Sequence, residues 1–220
     1  MKPVGALRVD QHTHLFYDEV LSQVTLWAAP APKGFRHWIT SLHFVQPKQV
    51  DKISYEGVSV SMEQPKTHER HDPQRDGPDN FYGSLHVMPR VQGVLYSRSK
   101  GMFRCSLALK KRPVTVRDVV RLMTGLGMHF YKFNQERGSG CLFWQFRLLE
   151  ALVREGWTGR ADLDNAYDRV RGLAQASVPP NDKAGKVPWP AVEGTFYKLE
   201  EVRGCQFFPA LRVNGTTVTR

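Results

Sequence analysis

The chain has 220 residues and a mass of 25.1 kDa, enough for one sizeable domain with its own core. Hydrophobic residues make up 41% and charged residues 24%, a balance that excludes wholesale disorder. Lys and Arg number 31 against 21 Asp and Glu, and the net charge of +10 favours an anionic partner: nucleic acid, an acidic lipid surface or an acidic protein.

Residues 1–20 lack the apolar stretch of a secretory signal, and no run approaches the ~18 apolar residues that span a bilayer. Extended structure dominates the first half. Strands are predicted at 22–29, at 35–45, where aromatic and β-branched residues occupy both parities, and at 53–63, where Val58, Val60 and Met62 alternate with Ser59, Ser61 and Glu63. Residues 64–80 hold prolines and mixed charge without an aliphatic side chain, the pattern of a mobile surface loop. Further strands are expected at 84–96, 102–110 and 128–134. Thr115 and Asp118 form a capping-box start for a helix that Gly125 stops.

Ser139 opens a second helix with Phe143, Phe146, Leu149, Leu152 and Val153 on one stripe, read as the longest of the chain. Asp162 or Asp164 caps a third, more polar one. The proline-rich segment 177–192 links to a strand pair at 194–199 and 206–213. The expected architecture is α+β, an antiparallel sheet with a few packed helices: a catalytic domain over 1–176, the linker, and a C-terminal strand pair within 193–220 packing on the same domain. The expected location is cytoplasmic.

Three cysteines, Cys105, Cys141 and Cys205, are odd in number and widely spaced, which speaks against a disulfide framework or a zinc site. Cys141 follows Arg137-Gly138-Ser139-Gly140 at a helix start. There the unpaired backbone N–H groups and the positive end of the dipole favour a thiolate. The glycines flanking Ser139 let backbone approach a substrate and offer N–H groups to an oxyanion. The competing reading is a small core hydrophobe, as Cys105 and Cys205 are read in their strands. A nucleophilic cysteine needs a base. His12, His14, His68 and His71 fall near the N-terminus or in the loop, which leaves His37, His43, His86 and His129, all placed on strands.

His37-Trp38-Ile39 on a hydrophobic strand, followed much later by Gly140-Cys141 at a helix start, resembles the permuted papain-like fold of lecithin–retinol-acyltransferase-like enzymes. The resemblance implies Cys141 as nucleophile and His37 as base. Those enzymes carry a second histidine on the next strand, where this chain has Ser61 and Glu63; His86 is a further choice for the orienting group.

A second resemblance covers residues 35–157. The succession HWI, VSVSM, GSLHVMP, TVRDVVRLM and GSGCLFWQFRLLEALVREGW is similar to a fungal family associated with arginine-containing cyclodipeptide synthases. That family has Arg-Tyr-Trp after the cysteine, where this chain has Leu142-Phe143-Trp144. The resemblance implies natural-product biosynthesis from two charged tRNAs, one of them arginyl-tRNA, with no cofactor, metal or membrane. It places Trp38, Glu136, Ser139, Gly140 and Trp144 about the substrate, with Glu63, Glu136 or Glu150 facing a guanidinium.

Charge tolerates that function. Residues 98–121 hold Arg98, Lys100, Arg104, Lys110, Lys111, Arg112, Arg117 and Arg121 against one acid, a stripe fit for a phosphate backbone. No phosphate-binding loop, dinucleotide fingerprint or metalloprotease motif occurs. Two rivals remain: a thiol hydrolase or acyltransferase with the same dyad, and a non-catalytic basic RNA-binding module.

Overall fold

The computed structural model describes residues 6–9, 12–29, 35–63, 80–91, 103–110, 113–134, 140–176 and 186–197. Among them run strands β1 (Ala6–Val9), β2 (Leu21–Ala29), β3 (His37–Val50), β4 (Ile53–Glu63), β5 (Asn80–Tyr82), β6 (Ser84–Val91), β7 (Phe103–Ala108), β8 (Tyr131–Asn134) and β9 (Thr195–Phe196). The helices are α1 (Val116–Gly125), α2 (Cys141–Arg154) and α3 (Arg160–Ala176), with a 3-10 turn at Thr13–Phe16. The fold is α+β. No described helix is long and apolar enough to cross a membrane.

Six strands form the main sheet in the order β1-β6-β4-β3-β2-β7. Every neighbouring pair is antiparallel except β1 and β6, which run parallel. The sheet is thus antiparallel as expected, with one short parallel strand, β1, added at its edge. A smaller sheet, β5-β8-β9, is antiparallel throughout.

The period-2 pattern decides the layers. Trp38, Thr40, Leu42 and Phe44 of β3 share a face with Val58, Val60 and Met62 of β4, with Leu85 and Val87 of β6, and with Phe103, Cys105 and Leu107 of β7; all are buried. On this face α2 packs across β3 and β4, and α3 against β7. The opposite face carries a row of hydroxyls in register, Ser106, Thr25, Ser41 and Ser59. Thr25 Oγ1 meets Ser106 Oγ at 3.0 Å and His43 Nε2 at 3.1 Å, and Trp27 Nε1 donates to Ser41 Oγ at 2.9 Å.

The capping box of α1 forms with both of its bonds, Thr115 Oγ1 accepting from the Asp118 N–H and the Asp118 carboxylate accepting from the Thr115 N–H. Two helix expectations are corrected. α3, with 17 residues, is longer than α2, with 14. It also begins at Arg160 rather than at an aspartate; Asp162 lies in its first turn and accepts from the Gly159 N–H at 3.3 Å. β9 pairs with β8; the second strand of the expected C-terminal pair, 206–213, lies outside the described residues, as do 64–79 and 177–185 of the expected loop and linker.

Candidate active site

β3 begins with His37 and the antiparallel β4 ends with Glu63, so both arrive at one end of the sheet. In register across the sheet, Ile39 faces Ser61, and Ser61 faces His86 on β6. His37, Ser61, Glu63 and His86 therefore share the hydroxyl-bearing face. α2 lies on the other face, and its first residue, Cys141, reaches that same end of β3. The Cys141 Sγ stands 3.8 Å from the Arg36 carbonyl oxygen, and its side chain hydrogen-bonds the His37 ring.

Ser61 Oγ donates to Glu63 Oε1 at 2.9 Å, and His86 Nε2 lies 3.8 Å from Glu63 Oε2. Burial opposes charge on the His37 imidazole, but the Cys141 side chain and the Glu63 carboxylate favour it, His86 opposes it weakly, and the pKa ends above the usual histidine value. A thiol, an imidazole that touches it and a carboxylate acting on that imidazole are what nucleophilic acyl transfer requires. Cys141 as a residue is 2% exposed.

What sets α2 at this height is a residue the sequence reading passed over. Gln145, one turn after Cys141, is fully buried in an otherwise apolar helix face. Its amide donates to the Trp38 carbonyl at 3.1 Å and to the Val60 carbonyl at 3.2 Å, and its oxygen accepts from Thr40 Oγ1 at 2.6 Å. One side chain thus ties the helix bearing the cysteine to both strands that bear His37 and Glu63. A lone glutamine amid Leu142, Phe146 and Leu149 was the available signal. Tyr131 of β8 was also passed over; its hydroxyl donates to the Gly140 carbonyl at 2.9 Å.

Other expected positions do not gather here. Trp38 and Trp144 are both 0% exposed, so neither offers a surface to a substrate; Trp38 packs against Phe103, and Trp144 Nε1 donates to the Met128 carbonyl at 2.8 Å. Their hydrophobic area explains this placement, because each completes the core. His129 lies in a turn before β8, not on a strand. Glu150 is more than two helical turns from Cys141, accepts from Tyr167 Oη at 2.6 Å and lines a surface cavity of about 300 Å³ with Arg154 and Arg160. Cys105 is buried, and burial raises its thiol pKa.

The basic stripe is divided. Arg117 makes two bonds to Asp18 Oδ1, at 3.0 and 2.9 Å, and Lys110 faces Asp162 at 3.9 Å. Arg104 projects from β7, and Arg121 is exposed on α1. Arg98, Lys100, Lys111, Arg112, Glu136 and Ser139 lie outside the described residues.

Residues 55–197 match the model of a family described as a domain of unknown function, DUF7770, which covers more than half of the 220 residues. The chain belongs to the DUF7770 family. The match takes in Ser61, Glu63, His86, Tyr131, Cys141 and Gln145, and it begins downstream of His37. Within this DUF7770 chain, then, the imidazole comes from a strand ahead of the matched region and the thiol from inside it. No curated protein and no solved structure matches.

Proposed function

We propose that this protein is a cysteine-dependent acyltransferase in which Cys141 is the nucleophile and His37 the base, with Glu63 orienting the imidazole. The contact between the Cys141 side chain and the His37 ring, with the Glu63 carboxylate behind it, carries this reading. Permuted papain-like enzymes use the same order, a histidine strand followed by a helix that opens with cysteine, and the fold reading extends to that class.

The most concrete form is an aminoacyl-tRNA-dependent cyclodipeptide synthase making an arginine-containing diketopiperazine; the resemblance over 35–157 and the net charge of +10 support it. Cys141 sulfur attacks the ester carbonyl of one aminoacyl-tRNA. A C–S bond forms, the C–O bond to the terminal ribose breaks, and the thiol proton passes through His37 to the ribose oxygen. The amine of the second aminoacyl-tRNA then attacks the thioester, forming the peptide C–N bond and returning the sulfur. The free amine of the resulting dipeptide attacks its own ester, closing the ring and releasing the second tRNA. Each step consumes an already activated acyl group, so no nucleotide hydrolysis is needed.

Intact-mass measurement after mixing with charged tRNAs tests this. An aminoacyl adduct on the wild-type chain that is absent from Cys141→Ala, with RNA binding kept, is the expected result. Cleavage of a peptide or lipid ester by Cys141 without tRNA would replace the synthase with a hydrolase. RNA binding with no adduct and no turnover would leave a binding module.

A further inference from the structure

Tyr131 opens β8 with its ring fully buried, edge-on to Phe133 at 5.1 Å and tilted against Phe196 at 5.0 Å. A phenol placed there must find partners for its hydroxyl, since an unpaired buried hydroxyl is costly. It finds two. Tyr131 Oη donates to the Gly140 carbonyl at 2.9 Å and accepts from the backbone N–H of Gly194. Gly140 immediately precedes the helix whose first residue is Cys141, and Gly194 immediately precedes β9.

Both partners are glycines for a steric reason. A Cβ on Gly140 would stand 2.5 Å from Tyr131 Oη, and a Cβ on Gly194 would collide with the same oxygen. The backbone has come as close to this hydroxyl as atoms allow, from two sides. The Gly140 carbonyl also accepts the Trp144 N–H at 3.1 Å, so the hydroxyl holds a carbonyl already engaged in the first helical turn. Burial raises the phenol's pKa first, and negative charge on Cys141 raises it further, so the group remains a proton donor.

We propose that Tyr131 is the positioning residue of the thiol site: its hydroxyl fixes the carbonyl that precedes Cys141 and, through the Gly194 N–H, ties the segment leading into β9 to the same point. The sulfur's distance from the His37 ring depends on where the first turn of α2 stands, and Tyr131 is the only side chain among the hydrogen bonds described that holds Gly140. The hydroxyl touches no reacting atom and acts through Cys141. This rests on reading Cys141 as the nucleophile, but its test needs no substrate.

The experiment is Tyr131→Phe, which keeps the ring and deletes one oxygen. Carboxymethylation of Cys141 by iodoacetamide is followed by peptide mass against pH, with Cys105 in the same sample as reference, and the Cys141 titration is read by NMR of chain labelled at cysteine Cβ. The expected result is a shift of the Cys141 midpoint by about one pH unit, and a fall in its labelling rate near neutrality of about tenfold, with Cys105 unchanged. Superimposable Cys141 profiles in wild type and Tyr131→Phe would overturn the assignment. Should Tyr131→Phe fail to fold, Gly194→Ala crowds the same oxygen from the β9 side and is read by the same two measurements. A shifted Cys141 profile alongside an absent aminoacyl adduct keeps the positioning role and rejects the synthase; an unshifted profile alongside an adduct does the reverse.

Discussion

Thr40 Oγ1 donates to Gln145 Oε1 at 2.6 Å, a buried hydrogen bond that joins strand β3 to helix α2. Because the same amide also serves the carbonyls of Trp38 and Val60, three buried polar groups depend on it. Gln145→Leu preserves bulk but removes all three of these hydrogen bonds and leaves the buried Thr40 hydroxyl facing an apolar side chain. The expected loss is roughly 2–4 kcal/mol of unfolding free energy, since unmet buried groups cost more than formed bonds contribute. Urea denaturation checks it, and a loss below about 0.5 kcal/mol would mean that water or neighbouring groups replace the amide.

The β3–β4 hairpin turns on Asp51 and Lys52, with φ of 48° and 66°. Two consecutive left-handed residues define the tight hairpin turn whose favoured pair is Asn-Gly. Lys52 has a Cβ that opposes this conformation. The double variant Asp51→Asn, Lys52→Gly is expected to stabilise the protein by about 1 kcal/mol. A neutral or destabilising result in thermal unfolding would show that the side chains of Asp51 and Lys52 contribute more than the backbone strain costs.

How much of this was legible beforehand depends on the range over which each signal acts. Local signals were reliable: Thr115 with Asp118 fixed the start of α1, and alternation placed β4 at Ile53–Glu63. Cys141 and His37 were separately recognisable from their neighbours in sequence, but their contact depends on sheet register and helix docking. Gln145 stood out only as a lone glutamine among apolar residues and Tyr131 not at all, because the role of a buried polar side chain is explained only by partners that folding brings to it. The tryptophans misled for the converse reason. A large indole near a motif reads as a recognition surface, whereas Trp38 and Trp144 are needed to fill the core.

His43 supplies a pH test of the hydroxyl face. Burial, and then the positive charge of Arg104, lowers its pKa to about 4 from the ordinary 6.5. The unfolded chain therefore binds the proton more readily, and stability rises with pH between those two values. That contribution is complete above 6.5 and is lost as the solution is acidified towards 4. His43→Gln is expected to flatten this part of the stability–pH curve. An unchanged acid slope would assign the slope to carboxylates instead.

Glu63 tests the candidate site with the opposite sign. The His37 pKa lies above its ordinary value despite burial, because the Cys141 side chain and the Glu63 carboxylate favour the imidazolium. Stability from this source is fully present below the unfolded value of 6.5 and fades as pH rises through the higher folded value. Glu63→Gln keeps a hydrogen-bonding group for Ser61 but removes the charge. The His37 ring, followed by its NMR titration, is expected to titrate at lower pH, and under the proposed acyl transfer the alkaline limit of activity would retreat with it, because the imidazolium needed to protonate the leaving ribose oxygen would be lost sooner. His86→Gln removes a weak opposing charge and should move the His37 midpoint the other way. If neither variant moves that midpoint, Glu63 is a partner of Ser61 and His86 only, and the orienting group of the imidazole is not the Glu63 carboxylate.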